Sequence, residues 1–217
     1  YKDAINTLHN IQKKGKAYQE MFLPYSESLI REEMSLFIDW FLDHHHGYQL
    51  SKSEIARWQD CTHILTQNAL SQPQVLVHRD FHSRNLMFLD SGNPGILDFQ
   101  DAVIGPITYD LVSLLRDCYV SLNSDVVADF SLYFYKNLDE EDKAGISYNQ
   151  FTKFFDLMGI QRHLKAVGIF TRLNYRDGKS IYLNDIPRTL EYILTVAENY
   201  PEIIFLVELI KKLRSKG

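Results

Sequence analysis

The sequence predicts a mainly α-helical fold with one small β-hairpin, and three observations support this prediction. Apolar residues recur at helical spacing in segments such as Leu29–Leu42 and Glu54–Leu70. Short runs of β-prone residues are confined to one region, Val75–Leu97. Within that region, Ser91–Gly95 combines Gly, Asn and Pro, which is typical of a tight turn. We therefore expect one hairpin inside an otherwise helical chain.

The chain before the hairpin is expected to form three helices. Tyr1–Gln19 has a loose helical pattern, and Leu29–Leu42 has a clearer one. His44–His46 follows the second helix and is interpreted as a frayed helix end, because adjacent helical residues point in different directions and rarely converge on one metal ion. Glu54–Leu70 is the third predicted helix, with Ser53 as its N-cap.

The chain after the hairpin is expected to be helical. Gly105–Pro106 predicts a turn, and Thr108 is a suitable N-cap for the helix that follows it. Further helices are predicted at Val126–Leu138, after the capping-box sequence Ser147–Gln150, and at Pro187 and Pro201.

Composition and charge exclude several kinds of partner. The 217 residues are 45% hydrophobic, which is enough for a sizeable core. A net charge of −5 argues against nucleic acid, because binding to a phosphate backbone needs a basic surface. No apolar run has the length of a membrane span, so no membrane partner is expected. Cys61 and Cys118 lie far apart and form no C-x-x-C pair, which predicts reduced thiols in a cytoplasmic protein.

The residues that indicate function lie in and around the hairpin. His78-Arg79-Asp80 is followed five positions later by Asn85, and the last β-prone run leads into Asp98-Phe99. Kinases use H-R-D-x-x-x-x-N with a later Asp-Phe to place a carboxylate and two metal ligands. A lone H-R-D tripeptide carries little information. The joint occurrence of these residues around paired apolar runs predicts a phosphoryl-transfer site.

Each residue of this pattern has a predicted role. Asp80 orients the acceptor hydroxyl and takes its proton, whereas Asn85 and Asp98 supply oxygen ligands to Mg²⁺ bound with ATP. His82 is a second catalytic candidate, which assists at the transferred phosphate by a hydrogen bond or by its charge. His78 is expected to pack within the loop and to support the site.

The stretch from Val75 to Asp110 resembles the C-terminal lobe of the aminoglycoside phosphotransferase/choline kinase superfamily, which shares its fold with protein kinases. Longer strings are similar to the bacterial cell-wall sugar anomeric kinases, namely HRDFHSRNLM, GILDFQDAVIGPITYDLVSLLRDCY, MGIQRHLKAVGIFTRL and YLNDIPR. The resemblance extends from about Leu29 to Arg188. It implies that ATP phosphorylates the anomeric hydroxyl of N-acetylmuramate or N-acetylglucosamine in peptidoglycan recycling.

The resemblance also implies roles for residues outside the motif. In this superfamily an aspartate at the position of Asp110 steadies the catalytic loop by accepting hydrogen bonds from its backbone amides. The helix at Leu29–Leu42 borders the acceptor pocket, so Arg31, Glu32 and Glu33 are candidates for contact with sugar hydroxyls. A solvated helix face is the simpler interpretation of these three charges.

A further implication concerns the extent of the enzyme. Residues 1–217 are expected to be the C-terminal catalytic and substrate lobe, with the N-terminal nucleotide-binding lobe absent from this chain. The reason is that a complete kinase of this fold has a glycine-rich loop, whereas the ten glycines of this sequence contain no G-x-G pair. An isolated lobe of this kind is expected to have little or no turnover.

Two features leave alternatives open. Asp101, three residues after Asp98, is a candidate either for metal binding or for holding the loop. A basic group near Asp177-Gly178 is a candidate for binding a sugar carboxylate, although a solvated surface is the favoured interpretation. Its members are Arg172, Arg176, Lys179 and Arg188.

Three other functions are compatible with parts of the sequence. A protein kinase is disfavoured because Gln100 replaces the Gly of Asp-Phe-Gly and no Ala-Pro-Glu follows. An aminoglycoside or choline-type kinase is not excluded, because its cationic substrate calls for an acidic pocket and the net charge is −5. A non-catalytic binding module is the third alternative, and the joint presence of Asp80, Asn85 and Asp98 argues against it.

Overall fold

The computed structural model describes residues 1–215, and the chain divides into two compact units. We name the first the catalytic-loop unit, which consists of Tyr1–Tyr25 and Ala69–Met158. We name the second the helical unit, which consists of Ser26–Asn68 and the chain from Gly159 onward. Most of the described residues are helical and only short strands occur among them, which confirms the predicted fold class.

Helices both precede and follow the short strands along the chain. The α-helices are α1 (Lys2–Gly15), α2 (Glu27–Leu36), α3 (Lys52–Leu70), α4 (Tyr109–Leu115), α5 (Ser124–Lys136), α6 (Glu140–Lys143), α7 (Tyr148–Asp177), α8 (Ile186–Ala197) and α9 (Phe205–Arg214). A π-helix spans Phe37–His45, and 3₁₀ helices span Lys16–Met21, Ser83–Asn85, Ser180–Asp185 and Pro201–Ile203. The strands are β1 (Gln74–Val77), β2 (Leu86–Met87), β3 (Gly95–Ile96) and β4 (Val103–Pro106).

The strands of the catalytic-loop unit form two antiparallel pairs. β2 pairs with β3, with Leu86 opposite Ile96, so the predicted hairpin exists but has only two residues in each strand. β1 pairs with β4, with Val77 opposite Val103. This second pair was not predicted from the sequence, because its strands lie far apart along the chain.

The segment Gly105–Pro106 belongs to β4, so the prediction of a turn there is wrong. The neighbouring chain explains why a glycine is needed at this point of a strand. The backbone amide of Tyr25 donates to the Ile104 carbonyl at 2.7 Å, and a Cβ atom on Gly105 would lie 3.1 Å from the Tyr25 Cβ atom. Gly105 therefore permits the close approach of another segment to the strand.

Each unit has its own core of aliphatic and aromatic side chains. In the catalytic-loop unit the fully buried side chains include Ile5, Leu8, Val77, Phe81, Tyr109, Leu111, Phe134 and Phe151. In the helical unit they include Ile30, Met34, Phe37, Leu42, Leu65, Leu164, Val167, Ile193 and Leu206. No helix of the described residues combines the length and apolarity that crossing a bilayer requires.

Helix α3 begins two residues earlier than the sequence predicted, and its cap is Ser51 rather than Ser53. The Glu54 backbone amide donates to Ser51 Oγ at 3.3 Å, and the Ser51 amide donates to Glu54 Oε2 at 2.9 Å. This reciprocal pair is a capping box. Ile55, in the first turn of the helix, is 43% exposed.

Thr108 precedes α4 as predicted but does not cap it. Its hydroxyl donates to Gln72 Oε1 at 2.7 Å, and its backbone amide contacts the same oxygen at 3.3 Å. Thr108 is completely buried, and Gln72 is 3% exposed. The Thr108 side chain therefore bonds to the buried side-chain amide of Gln72, just after α3, and not to the N-terminus of α4.

The predicted helix Leu29–Leu42 continues from α2 into the π-helix. The transition occurs at Leu36, where Gly168 of α7 comes close to the backbone. The three histidines at the end are ordered by packing rather than frayed. His44 stacks on Tyr175 at a ring separation of 4.9 Å, and His45 Nδ1 lies 2.9 Å from the Tyr175 hydroxyl.

We predict that Gly168→Ala destabilises the protein. A Cβ atom at this position would lie 2.5 Å from the Leu36 carbonyl carbon, and backbone atoms cannot rotate away. The overpacking should lower the free energy of unfolding by about 1–3 kcal/mol, despite the better helix propensity of alanine. Urea titration measures this change. Asp129→Ala, at an exposed position on α5, is the control and should change stability little. A more stable Gly168→Ala protein would contradict the packing.

We predict that Glu54→Gln removes an acid-dependent part of the stability. Hydrogen bonds from Lys212, from the Ser51 backbone and from Tyr48 lower the pKa of Glu54 from 4.5 to about 2. This stabilisation is present above about pH 4.5 and is lost as the pH falls towards 2. The difference in free energy of unfolding between wild type and variant should therefore shrink between about pH 5 and pH 3. The exposed Glu20→Gln is the control, and a difference that stays constant on acidification would disprove the linkage.

Candidate active site

The loop that follows β1 is held by hydrogen bonds around Asp80. The Asp80 amide donates to His78 Nδ1 at 3.3 Å. The Asp80 carbonyl accepts from the His82 amide at 3.0 Å and from Asn85 Nδ2 at 3.1 Å. Both the amide and the carbonyl of Asp80 are therefore hydrogen-bonded, while its half-buried side chain remains accessible.

The hairpin connects this loop to Asp98. The Leu97 amide donates to the Asn85 carbonyl at 3.0 Å, one residue beyond β3. Asp98 follows with a φ of +61°, a left-handed conformation that is rare for residues other than glycine. Asn85 thus bonds to Asp80 through its side chain and to the residue before Asp98 through its main chain. The structure brings the three predicted site residues into one local network.

The carboxylates of Asp80 and Asp98 are accessible to a ligand. No hydrogen bond or ion pair within residues 1–215 engages either carboxylate. Both are close enough to His78 to act on its charge. Two such carboxylates near one histidine form an acidic group that attracts cations.

His78 lies close to Asp80 and Asp98, and its side chain is buried. Burial lowers the pKa of His78 below its ordinary value, although Asp80, the Leu97 backbone and Asp98 act in the opposite direction. The lowered pKa favours an unprotonated Nδ1, which is what acceptance of the Asp80 amide hydrogen requires. The supporting role of His78 in the site stays a prediction.

Asp110, at the start of α4, holds the beginning of the loop. Its side chain is completely buried. Oδ2 accepts from the His78 amide at 2.7 Å, and Oδ1 accepts from the Arg79 amide at 3.0 Å. Arg79 has a φ of +76°, so the carboxylate stabilises a strained turn immediately before Asp80.

Asp101 lies beside the loop, and His82 lies within it. The Asp101 carbonyl accepts from Arg79 Nη1 at 3.4 Å, so the contact that the structure shows is a main-chain contact to the loop. The His82 ring meets the Tyr119 ring edge-on at a centroid separation of 5.2 Å. The sequence predicted neither Tyr119 nor its neighbour Asp117, which bonds to the Ser83 amide. No pattern in the sequence marks these two residues, because their partners lie more than thirty positions away.

The candidate substrate residues of the helical unit are arranged differently from the sequence interpretation. Glu33 is not on a solvated face, because its carboxylate is buried and bonds to Lys165 Nζ at 2.7 Å and Gln161 Nε2 at 3.1 Å. This buried ion pair joins α2 to α7. No helical pattern distinguishes it from a surface charge.

The predicted basic group is partly neutralised by nearby carboxylates. Arg176 bonds to Asp177 at 2.7 Å, and Arg188 lies 3.5 Å from Asp185. Lys179 is exposed, and Arg172 is half-buried. Two of the four cations therefore have carboxylate partners within their own segment. The role of this group in carboxylate binding stays a prediction.

Several large apolar side chains of the catalytic-loop unit are exposed. Met21, Leu23, Phe88 and Phe99 are each at least 74% exposed. A pocket of about 230 Å³ lies beside the hairpin, and its lining includes Ala4, Ser83, Met87, Phe88 and Pro94. Phe88 is therefore both exposed and part of the pocket wall, which makes the pocket a candidate binding region.

The chain is similar to known phosphotransferases. The phosphotransferase enzyme family model matches residues 3–142. The N-acetylmuramate/N-acetylglucosamine kinase of Pseudomonas aeruginosa is 44% identical over 214 residues, which are 98% of this chain and 62% of that protein. The kinases of the same name from Neisseria meningitidis and Pseudomonas putida are 42% and 40% identical, over 97% and 99% of this chain and 63% of each protein. The chain thus spans less than two thirds of the length of these relatives.

One solved structure is similar to this chain at a lower level. It is the ADP-bound aminoglycoside phosphotransferase APH(2'')-Ib, with a TM-score of 0.47 and 15% sequence identity. The match covers 80% of this chain and 54% of the other.

We predict that Asp110→Ala loosens the candidate catalytic loop. The variant leaves the amides of His78 and Arg79 without their acceptor, at a cost of about 1–3 kcal/mol for each amide that stays buried. The free energy of unfolding should fall accordingly, and amide hydrogen exchange should rise at these two residues. Asp129→Ala, an exposed position on α5, is the control and should change stability little. Unchanged exchange at both amides would contradict the anchoring role of Asp110.

Proposed function

Since this chain belongs to the phosphotransferase enzyme family, we propose that it is the catalytic part of an ATP-dependent kinase that acts on a small-molecule hydroxyl. The observation that carries this proposal is the bonded network of Asp80, Asn85 and the residue preceding Asp98. It links the main chain of the candidate base to one candidate oxygen donor and to the residue before the other. Phosphoryl transfer needs these groups because it depends mainly on positioning and charge stabilisation.

Asp80 is the proposed base. Its carboxylate is accessible and unengaged within the described part of the chain, while its main chain is fixed by His78, His82 and Asn85. It accepts a hydrogen bond from the acceptor hydroxyl, orients the oxygen towards the phosphoryl group and takes the proton as the new bond forms. Fixing the main chain limits the positions that the carboxylate samples.

Asn85 and Asp98 are the proposed ligands of Mg²⁺. Asn85 Nδ2 donates to the Asp80 carbonyl, which leaves Oδ1 as the atom of that side chain for a cation. Within residues 1–215, no three His, Cys, Asp or Glu side chains are grouped to hold a metal ion by themselves. A donor set of one amide and one carboxylate suits Mg²⁺, which usually takes its remaining ligands from water and substrate phosphates. When bound, the ion would neutralise charge on the ATP phosphates.

His82 is proposed to assist at the transferred phosphoryl group. It lies two residues beyond Asp80 in the loop, and its amide bonds to the Asp80 carbonyl. A half-buried imidazole at this place can donate a hydrogen bond to a phosphate oxygen.

The proposed acceptor is the anomeric hydroxyl of N-acetylmuramate or N-acetylglucosamine, and these two sugars stand in the names of the three relatives at 40–44% identity. We place the reaction in the cytoplasm, where it would serve peptidoglycan recycling. The two cysteines, Cys61 and Cys118, are both free thiols, which suits a reducing compartment.

We propose that residues 1–217 form the C-terminal lobe and that a nucleotide-binding lobe belongs to the same protein. The relatives are longer than this chain, and the chain has no G-x-G sequence for a phosphate-covering loop. The exposed apolar side chains of this unit, including Leu23, Phe88 and Phe99, suit a surface that another lobe covers. The isolated chain should therefore turn over little substrate.

The proposal predicts that Asp80→Asn abolishes sugar phosphorylation. The assay uses the full-length protein with ATP, Mg²⁺ and a panel of N-acetylmuramate, N-acetylglucosamine, kanamycin and choline. The variant cannot take the hydroxyl proton, so kcat should fall by about 10²–10⁴-fold. Asp90→Asn, at an exposed position in the hairpin, is the control and should retain activity.

The product identifies the acceptor. A sugar 1-phosphate that depends on Asp80 supports both parts of the proposal. Phosphorylation of kanamycin or choline, without turnover of either sugar, would contradict the proposed sugar acceptor but support the proposed kinase activity. Sugar phosphorylation that survives Asp80→Asn would contradict the assignment of the base.

A further inference from the structure

A second buried carboxylate contacts the candidate catalytic loop. Asp117 lies two residues beyond α4 and is only 3% exposed. Its Oδ2 accepts from the Ser83 amide at 2.9 Å, and its Oδ1 accepts from the Tyr119 amide at 2.7 Å. Both oxygens are therefore bonded to backbone amides, one of them in the loop itself.

Asp110 and Asp117 hold different parts of the loop. Asp110 bonds to His78 and Arg79, before Asp80, whereas Asp117 bonds to Ser83, after it. Burial of a carboxylate costs free energy unless hydrogen bonds replace its hydration. Two charge-assisted bonds to Asp117 provide that compensation and fix the geometry of the segment that they join.

The second bond of Asp117 fixes a residue that packs against both neighbours of Ser83. The edge-on contact of the Tyr119 ring with His82 has an interplanar angle of 77°. The Arg84 guanidinium carbon lies 3.6 Å from the centre of the same ring, which is a close cation–π contact. The main chain of Ser83 is thus held by Asp117, and the flanking side chains are held by Tyr119.

We propose that Asp117 and Tyr119 are positioning residues for phosphoryl transfer. This inference rests on the proposed function, because it concerns the same loop. Asp117 sets the course of the chain through Ser83 and the place of Tyr119, and Tyr119 sets the orientation of the His82 imidazole. A preoriented imidazole meets the phosphoryl group without reorganisation at the moment of transfer. Neither Asp117 nor Tyr119 contacts substrate in this proposal, and both act through His82.

A purely structural role makes a different prediction. If Asp117 and Tyr119 only stabilise the end of α4, their loss lowers stability and has the same effect on activity whether or not His82 is present. If they position His82, their effect on kcat disappears once His82 has been removed. Coupling between neighbouring residues of this kind is what a double-mutant cycle measures.

The experiment is a double-mutant cycle between Tyr119→Leu and His82→Ala in the full-length protein, with ATP, Mg²⁺ and the sugar that it phosphorylates. Tyr119→Leu should lower kcat by about 10- to 100-fold, and KM for ATP should change by less than about 3-fold. In the His82→Ala background, the same substitution should change kcat by less than about 2-fold.

Three further variants complete the experiment. Tyr119→Phe keeps the ring and should restore most of the kcat that Tyr119→Leu loses. Asp117→Asn keeps one acceptor oxygen and should fall between wild type and Asp117→Ala, in kcat and in protection of the Ser83 amide from hydrogen exchange. Val120→Ala changes the adjacent, 39% exposed residue and is the matched control. Because Asp117→Ala removes a buried group, the Tyr119 variants keep the test valid if that protein does not fold.

The outcomes separate this inference from the proposed function. The inference is overturned if Tyr119→Leu keeps the wild-type kcat or raises only KM, or if His82→Ala has no effect on kcat. It is also overturned if the double variant loses kcat by the product of the two single losses. Each of these results leaves the kinase proposal intact as long as Asp80→Asn abolishes turnover. Persistent turnover in Asp80→Asn would instead contradict the proposed function.

Discussion

The buried carboxylate of Asp110 is the interaction on which the candidate site depends. It accepts the two amides that open the catalytic loop, and one of them belongs to Arg79, whose backbone is left-handed. A left-handed arginine is costly, and a charged acceptor with no access to water is a strong partner for its amide. The direction in which the chain leaves β1, and hence the position of Asp80, follows from this contact.

The rest of the site is built by main-chain bonds that continue from this anchor. The Asp80 carbonyl accepts from Asn85, and the Asn85 carbonyl accepts from Leu97, so the loop and hairpin form one bonded unit. The carboxylates of Asp80 and Asp98 have no hydrogen bond or ion pair within residues 1–215. This arrangement suits a reaction in which the protein supplies position and charge rather than a covalent intermediate.

The fold and site could be predicted from the sequence wherever the signal was local. Helical periodicity located most of the helices, and the turn residues of Ser91–Gly95 located the hairpin. Its strands are shorter than the apolar runs suggested, because Phe88 leaves the sheet and is exposed. Asp80, Asn85 and Asp98 were predicted as site residues from the pattern H-R-D-x-x-x-x-N and the later Asp-Phe, and their roles stay predictions.

The sequence by itself determined the residue types of the site and the helical character of the chain, because both depend on neighbours a few positions apart. Tertiary structure decided which distant groups these residues meet. It paired β1 with β4, turned Thr108 from a helix cap to a partner of Gln72, and buried Glu33 against Lys165. It also brought Asp117 to Ser83. Each contact joins segments far apart in the chain, so no local pattern encodes it. Each contact stabilises the fold because it gives hydrogen-bond partners to polar groups that folding has removed from water.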